Sequence, residues 1–299
     1  MQQLLDMNRD IMFDVYTQSV QGVDGLLADD KRMLFRQDDA GVSTYMSVVN
    51  NNYRVVENRE VLEPLQKQMI NYFDPLVLED VQIKDIITKN GVVCYSEYIF
   101  PKLKYGIETD TGHKTDFGLR FVMKNSFDGK GSVVMWSGLI DFFCTNGTVI
   151  GKYDVTRKRH SRNFNTDGFI KAFEATMNEH ETVVNKYQEY ADKKVSGSKV
   201  AKLFDTLTKA GSFEERKKKS GTLSDRLFSQ YIDEVKVRGN NVFSVMSAIT
   251  HYSSHTDDPR FALTKAGDSG TIYKRQETTT NWLKSNAWKE FVDYSYARV

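Results

Sequence analysis

The spacing of hydrophobic positions changes along the chain, and each change predicts a different kind of element. Between Tyr45 and Pro75 a short strand-like piece and an Asn-rich turn precede apolar residues that recur every four positions. This spacing predicts one face of an amphipathic helix. Pro64 is expected in the first turn of that helix, where its missing N–H does no harm. The apolar stripe consists of Val61, Leu65, Met69 and Phe73.

A different pattern occupies the stretch from Gly91 to Val155. Val, Ile, Tyr and Phe crowd into short runs such as "DFGLRFVMKNSF" and "GSVVMWSGLIDFFCT", which is typical of strands. The connections "DTGHKTD" and "DGKG" supply the glycine and aspartate that hairpins need. The pattern therefore predicts an antiparallel meander of three or four strands.

Helical spacing returns in residues 166–195. Thr166 or Asp167 is expected to cap the helix, and Lys193 and Lys194 suit its negative end. Because a sheet must cover one face, this helix is expected to pack on the meander. The predicted fold class is α+β, with a β-β-β-α-like core. The helical apolar positions are Phe169, Phe173, Met177, Val184, Tyr187 and Ala191.

After "SGSK" at Ser196–Lys199 the pattern is mainly helical to the end of the chain. The predicted organisation is an N-terminal module at 1–88, a core of sheet and long helix at 89–195, and a helical C-terminal region at 196–299. One continuous domain is the alternative.

Composition narrows the classes of function. The 299 residues are 40% hydrophobic and 12% aromatic, which indicates a folded protein. With 41 Lys and Arg against 40 Asp and Glu, the net charge is +1, so a site for a polyanion must be a local patch. No apolar run approaches the roughly 20 residues that span a bilayer. A soluble, intracellular protein without a membrane partner is expected.

Enzyme signatures are weak. "AGDSG" around Ser269 contains the quartet of chymotrypsin-like proteases, but it lies between helical segments, which favours a turn. His251 and His255 share a helix face, and Asp257 and Asp258 follow, yet the Glu of a zinc-protease motif is missing. An ordinary helix C-terminus is favoured. We predict no catalytic residue, no metal and no cofactor.

A basic cluster carries the strongest functional signal. Five Lys and Arg fall within eleven residues, with only Asp154 and with aromatic residues among them. Cations neutralise phosphates and aromatic rings stack on unpaired bases, so the mixture favours single-stranded nucleic acid. A solvated loop is the alternative, and it is the better interpretation of the second cluster, Arg216–Lys219, which lacks aromatic residues. The candidate nucleic-acid-binding residues are Lys152, Tyr153, Arg157, Lys158, Arg159, Arg162 and Phe164.

Four segments resemble a family of phage- and plasmid-like proteins of unknown function, carried by bacteriophages, plasmids and prophages. They are "YRVVENREVLEPL" from Tyr53, "NSFDGKGSV" from Asn125, "FFCTNGTVIG" from Phe142 and "VFSVMSAITHYSSH" from Val242. Where the family often has a histidine before Asp128, this chain has Phe127, which weakens a His-Asp catalytic pair. The resemblance implies a mobile-element origin and residence in the host cytoplasm.

The order of elements is also similar to the single-strand annealing proteins of phage recombination, which have a β-β-β-α core. That similarity implies DNA binding along a basic groove and assembly into a homo-oligomer. The leading hypothesis is a non-enzymatic protein that binds single-stranded DNA and anneals complementary strands. The alternative is an accessory protein that binds a host or phage protein through its helical C-terminal region. Asp128, Asp141, His251 and His255 are the scattered candidates for a hydrolase or nuclease.

Overall fold

The structure is a computed structural model. It describes Leu4 and residues 9–22, 25–38, 41–141, 146–148, 155–209, 221–255, 258–261 and 269–295.

The first strands form a small antiparallel sheet in the order β1-β2-β3. Its strands are β1 (Asp14–Gln21), β2 (Leu27–Gln37) and β3 (Ser43–Asn50). One face supplies buried side chains such as Leu34 and Val49, whereas Tyr45 and Val48 point to the other face and are exposed.

Two helices follow this sheet, α1 (Asn58–Tyr72) and α2 (Pro75–Glu79). The predicted stripe of α1 is buried, from Val61 to Phe73. The expectation that Pro64 lies in the first turn is wrong, because the capping box of Glu57 and Glu60 starts the helix at Asn58. Pro64 therefore lies inside the helix, where it removes one backbone hydrogen bond.

The main antiparallel sheet confirms the predicted meander. Its central strands have the order β4-β5-β6-β7, and β8 and β9 both pair with β7. The strands are β4 (Gln82–Thr88), β5 (Val93–Glu108), β6 (Lys114–Ser126), β7 (Val133–Asp141), β8 (Asn146–Thr148) and β9 (Val155–Lys158).

The long helix α3 (Asp167–Asp192) packs on the main sheet as predicted. The Thr176 hydroxyl donates to Ser137 Oγ on β7 at 2.7 Å. The ring of Phe173 lies 5.1 Å from that of Phe121 on β6 and 5.9 Å from that of Phe73 after α1. These rings form an aromatic core where α1 and α3 cover one face of the sheet.

The remaining described residues are largely helical, which confirms the predicted C-terminal third. No helix in the described part of the chain is both long and apolar enough to cross a bilayer. The helices are α4 (Gly197–Thr208), α5 (Leu223–Arg238), α6 (Val242–Ser254), α7 (Ser269–Lys284) and α8 (Asn286–Tyr294).

The chain forms two compact units, whose boundaries fall within β5, β6, β7 and α3. The expected division at residues 88 and 195 stays a prediction. The first unit comprises Met1–Leu103, Leu119–Gly138 and Gly151–Asn178, and the second comprises Lys104–Gly118, Leu139–Ile150 and Glu179–Val299.

Candidate nucleic-acid interface

Buried asparagines join two distant segments in the first unit. Asn125, at the end of β6, donates to the Val56 carbonyl at 2.8 Å and to Asn58 Oδ1 at 3.0 Å. Asn58 in turn donates to the Ile11 carbonyl at 2.8 Å. Both asparagines are fully buried, so these bonds fix the segment that begins at Tyr53 against the start of the β6–β7 turn.

The β6–β7 turn is built around Asp128. Its Oδ1 accepts from the backbone N–H groups of Lys130 at 2.9 Å and Gly131 at 2.6 Å. Burial opposes ionisation of this carboxyl, but the two N–H groups, the Ser126 side chain and the charge of Lys124 together outweigh it and hold the pKa of Asp128 below its usual value. A methyl group on Gly131 would lie 2.4 Å from Cβ of Ser126. The "DGKG" sequence thus has a structural role in a tight turn.

A third segment reaches this region through His160. Its ring stacks on Tyr53, with 4.8 Å between centroids and 16° between planes. The Tyr53 hydroxyl lies 2.8 Å from Nδ1 of His160 and 3.2 Å from the Ser126 carbonyl. Both bonds form together when Nδ1 carries the proton, because the phenol then donates to the carbonyl and accepts from the imidazole.

Burial sets the ionisation of this pair. It lowers the pKa of His160 to about 4, against an opposing hydrogen bond with the backbone of Arg54. It also raises the pKa of the Tyr53 phenol well above its usual value. Both groups are therefore neutral at pH 7. His160 serves as an apolar and hydrogen-bonding anchor for the turn that follows β9, and it adds no charge.

A polar cleft of about 490 Å³ opens beside this anchor. Asn52, Ser161 and Arg162 are exposed along it. Amide and hydroxyl groups both donate and accept hydrogen bonds, and guanidinium donates to phosphate in a bidentate fashion. The cleft is lined by Asn50, Asn52, Tyr53, Gly129, His160, Ser161 and Arg162.

Exposed cations lie at the rim of the cleft. Arg162 lines it, and Lys130 and Arg159 are exposed next to its lining residues. Of the nearby acids, Glu60 is paired with Arg54 at 2.5 Å, Asp128 is engaged by its own turn, and Asp30 lies 3.3 Å from Lys31. We name residues 159–162 the basic turn; Arg159, Ser161 and Arg162 are exposed in it, and His160 is buried. The cleft and the basic turn together can hold an anionic, hydrogen-bonding ligand.

The structure places the predicted site residues in different surroundings. Lys152 and Tyr153 lie outside the described residues, as does the second cluster, Arg216–Lys219. On β9, Arg157 pairs with Val134 and Lys158 with Val133, so their side chains point to opposite faces of the sheet. Lys158 lies next to Gly168 in the first turn of α3.

Phe164 is half-buried, and one face of its ring is covered. The Arg54 guanidinium carbon lies 5.5 Å from the ring centroid, and Arg54 Nη1 donates to the Phe164 carbonyl at 3.0 Å. The Phe169 ring is 6.3 Å away. Of the seven predicted residues, Arg162 lines the cleft, and Arg159 lies beside it in the basic turn.

Sequence patterns had not assigned a site role to Asn50, Asn52 or Tyr53. Two signals pointed towards them: the Asn-rich turn after β3 and the family-like segment that begins at Tyr53. Neither signal predicts which distant segment packs against Tyr53. Its partner His160 lies 107 positions further along the chain.

A second cleft in the first unit has the opposite electrostatic character. It has a volume of about 530 Å³, and Glu79, Asp80 and Glu97 are among its lining residues. Lys102 is occupied by these acids, at 3.7 Å from Glu79 and 3.1 Å from Asp80. Three of its lining residues are acids and one, Lys84, is a cation, so the polar cleft beside the basic turn is the better candidate for a phosphate backbone.

The second unit holds a cluster of buried charges centred on Arg238, which is fully buried. Arg238 Nη2 donates to Asp141 at 2.7 Å, and its Nε lies 3.1 Å from Glu234. Gln230 also donates to Glu234, at 2.9 Å. Burial raises the pKa of Glu234, although Arg238 acts in the opposite direction. We name these four residues the buried cluster.

The two histidines of "HYSSH" lie at the end of α6, with ring centroids 4.2 Å apart. His251 Nε2 lies 3.0 Å from Asp258, which also binds Arg260 at 2.8 Å. Asp257 is outside the described residues. Within the described part of the chain, no three His, Cys, Asp or Glu side chains are arranged to hold a metal ion. The contacts of His251 with His255 and Asp258 stabilise the end of the helix.

Ser269 of the "GDSG" quartet is the first residue of helix α7, whereas Gly267 and Asp268 lie outside the described residues. The hydrolase candidates Asp128 and Asp141 each have a structural role, in the β6–β7 turn and in the buried cluster.

A family model described as "Domain of unknown function (DUF932)" matches residues 45–294. The chain belongs to the DUF932 family. No curated protein and no solved structure matches it. The DUF932 match begins within β3, at Tyr45, and includes every residue that lines the polar cleft, whereas β1 and β2 precede it. The prediction that the chain belongs to a family of unknown function is confirmed.

Proposed function

We propose that this DUF932 protein is a non-enzymatic, single-stranded DNA-binding protein of a phage or other mobile element that acts in the host cytoplasm. Arg159 and Arg162 contact phosphates, and the cleft beside them receives sugar or base edges. Assembly of several copies would extend the surface and allow complementary strands to anneal.

One observation carries the proposal. The basic turn is exposed, yet its intervening residue His160 is buried and neutral against Tyr53. The buried ring of His160 therefore holds the turn in place, and Arg159 and Arg162 lie on this turn beside a polar cleft. This combination suits single-stranded nucleic acid, because its phosphates are bound by cations and the edges of its unpaired bases form hydrogen bonds with amide and hydroxyl groups.

The near-neutral net charge is compatible with this function. At +1 the whole molecule does not attract polyanions, so binding depends on the exposed cations at the rim of the cleft, Lys130, Arg159 and Arg162. The acidic second cleft is on the same unit and contributes to this balance.

The test is a fluorescence anisotropy titration of a labelled single-stranded oligonucleotide at several salt concentrations. We expect affinity to fall steeply with salt, since bound phosphates release counterions. The variant Arg159→Glu/Arg162→Glu should bind at least tenfold more weakly. The control Lys202→Glu/Lys289→Glu changes the net charge equally at exposed positions of α4 and α8, and it should bind like the wild type.

Failure of the wild-type protein to bind at low salt would refute the proposal. Equal loss of affinity in both double variants would also refute it, because bulk charge and not the basic turn would then govern binding.

A further inference from the structure

The outer face of the β1–β3 sheet carries three aromatic rings in cross-strand register. Tyr16 lies opposite Phe35, and Phe35 lies opposite Tyr45. The first pair is stacked, with centroids 5.4 Å apart and 13° between planes, and the second is edge-on at 5.8 Å. Tyr45 is 48% exposed. We name these three residues the aromatic ladder.

The aromatic ladder is not the core face of its sheet. On the opposite face Leu34 and Val49 are buried, and the Ser47 hydroxyl donates to the Phe127 carbonyl of the β6–β7 turn. Val49 also contacts Gly129 there, since a methyl group on that glycine would lie 3.2 Å from Val49 Cγ1. The sheet thus packs through one face and leaves rings on the other in partial contact with solvent.

The outer face is continuous with the polar cleft. On β3 the outward positions run from Tyr45 through Val48 to Asn50, which is about 17 Å of strand. Asn50 itself lines the cleft together with Arg162. A strand of nucleic acid bound at the basic turn therefore needs only a few nucleotides to reach the rings.

The charges on this face are mutually compensated. Lys31 donates to the Asn50 side chain and lies 3.3 Å from Asp30. Asp14, at the far edge, lies 3.5 Å from Arg59. The face therefore suits neutral, flat groups, whereas the anionic groups of the same ligand fit the basic turn. Unpaired bases on a phosphate backbone combine these two properties.

We infer that the aromatic ladder is a base-stacking platform for single-stranded nucleic acid whose backbone is held at the basic turn. This inference rests on the proposed function and specifies how it is achieved. Tyr16 and Phe35 precede the matched residues 45–294, so two of the three rings lie outside the family match.

The test compares oligonucleotides that carry normal bases with oligonucleotides of equal length in which the bases are replaced by abasic sites. We expect the wild-type protein to prefer normal bases by about 5- to 150-fold for each base stacked. The variant Phe35→Leu/Tyr45→Leu keeps apolar groups but removes two rings, and it should lose most of this preference. Its salt dependence should not change, because the phosphate contacts remain.

Tyr294→Leu is the matched control, since Tyr294 is 66% exposed at the end of α8. Circular dichroism and the urea midpoint check that each variant folds. If the double variant is unfolded, Tyr45→Leu alone replaces it, because that ring is the most exposed of the three. Matched DNA and RNA oligonucleotides distinguish the two sources of unpaired bases.

The outcomes separate the two proposals. If the wild-type protein binds no single strand, the proposed function fails and the platform with it. If it binds through Arg159 and Arg162 but does not distinguish normal from abasic oligonucleotides, only the platform is overturned. The platform is also overturned if sedimentation shows that Tyr45→Leu dissociates a dimer while its preference for normal bases is intact, since the face then contacts a second copy.

Discussion

Charged side chains gather in both units of the chain, but they are compensated in different ways. In the second unit, Arg238 is fully buried and lies between Asp141 and Glu234. In the first unit, Arg159 and Arg162 are exposed three positions apart on a turn that contains the buried, neutral His160. The buried cluster combines opposite charges, whereas the basic turn combines like charges.

This difference distinguishes charges that stabilise the fold from charges that are available to bind a ligand. A buried charge must be paired where it lies, because removal from water is costly. An exposed pair of like charges is tolerated in water and becomes favourable when an anion binds between or across them. We therefore expect substitutions in the buried cluster to change folding and substitutions in the basic turn to change binding.

The largest expected effect is on folding. Arg238→Met should lower the free energy of unfolding by about 3–5 kcal/mol, because Asp141 and Glu234 would be left as buried anions without their cation. Urea denaturation at pH 7 measures the loss. The deficit should shrink at lower pH, since burial already raises the pKa of Glu234 and protonation removes its charge.

Lys236→Met is the control for this variant. Lys236 is an exposed neighbour on α5 that pairs with Asp233 at 2.7 Å, and its loss should cost less than about 1 kcal/mol. Equal small effects of both substitutions would show that the buried cluster does not contribute to folding as described.

The next effect is a dependence of stability on pH in the first unit. Burial lowers the pKa of His160 to about 4, whereas an unfolded histidine titrates near about 6.5. As pH falls from 7 to 5, the unfolded state takes up a proton that the folded state does not. This group alone should then lower the free energy of unfolding by about 2 kcal/mol.

Urea titrations of the wild type and of His160→Gln at pH 5, 6 and 7 isolate this contribution. The difference in unfolding free energy between the two proteins should change by about 2 kcal/mol over this range. A constant difference would show that His160 is not held neutral against Tyr53.

A smaller effect should distinguish two arginines of the predicted cluster. Arg162→Gln should weaken binding of single-stranded DNA by about 1.5 kcal/mol, roughly tenfold, and reduce the salt slope by about 0.7. Arg157→Gln should have less effect, because Arg157 does not line the cleft. Anisotropy titrations of both variants measure the two effects. A larger effect at Arg157 would place the interface on β9 and not at the cleft.

The smallest effect concerns a helix end in the second unit. Thr222 caps α5 by accepting from Asp225 N at 3.2 Å, and Asp225 accepts from Thr222 N at 2.9 Å. Thr222→Ala should cost about 1 kcal/mol of unfolding free energy without changing DNA affinity. Thr206→Ala, in the interior of α4, should cost less. A loss of DNA affinity in Thr222→Ala would contradict the expectation that the second unit does not contribute to DNA binding.

Local patterns were sufficient to predict the meander, the long helix α3 and the helical C-terminal third. Alternation and helical spacing follow from which residues must be buried, so Phe169, Phe173 and Met177 identify one face of α3 without further information. Pro64 was misplaced because the start of α1 depends on the capping box at Glu57 and Glu60, which the apolar stripe does not reveal.

The site was predicted less completely, since it depends on contacts between distant segments. The basic cluster could be recognised from its composition. That Arg157 and Lys158 point to opposite faces of the sheet is known only once β9 and its pairing with β7 are known. Tyr53, Ser126 and His160 meet only after folding. The aromatic ladder likewise depends on hairpin register, because register decides which rings lie opposite each other. The hydrophobic pattern of β1 to β3 does not predict that register.

The most direct test of the account is photocrosslinking of the wild-type protein to a single-stranded oligonucleotide that contains 5-iododeoxyuridine, followed by mass spectrometric mapping of the crosslinked peptides. We predict crosslinks in peptides that contain Tyr45, Tyr53 and the basic turn. Crosslinks confined to the helices from α4 to α8 would contradict the account, because they would place the nucleic acid on the second unit.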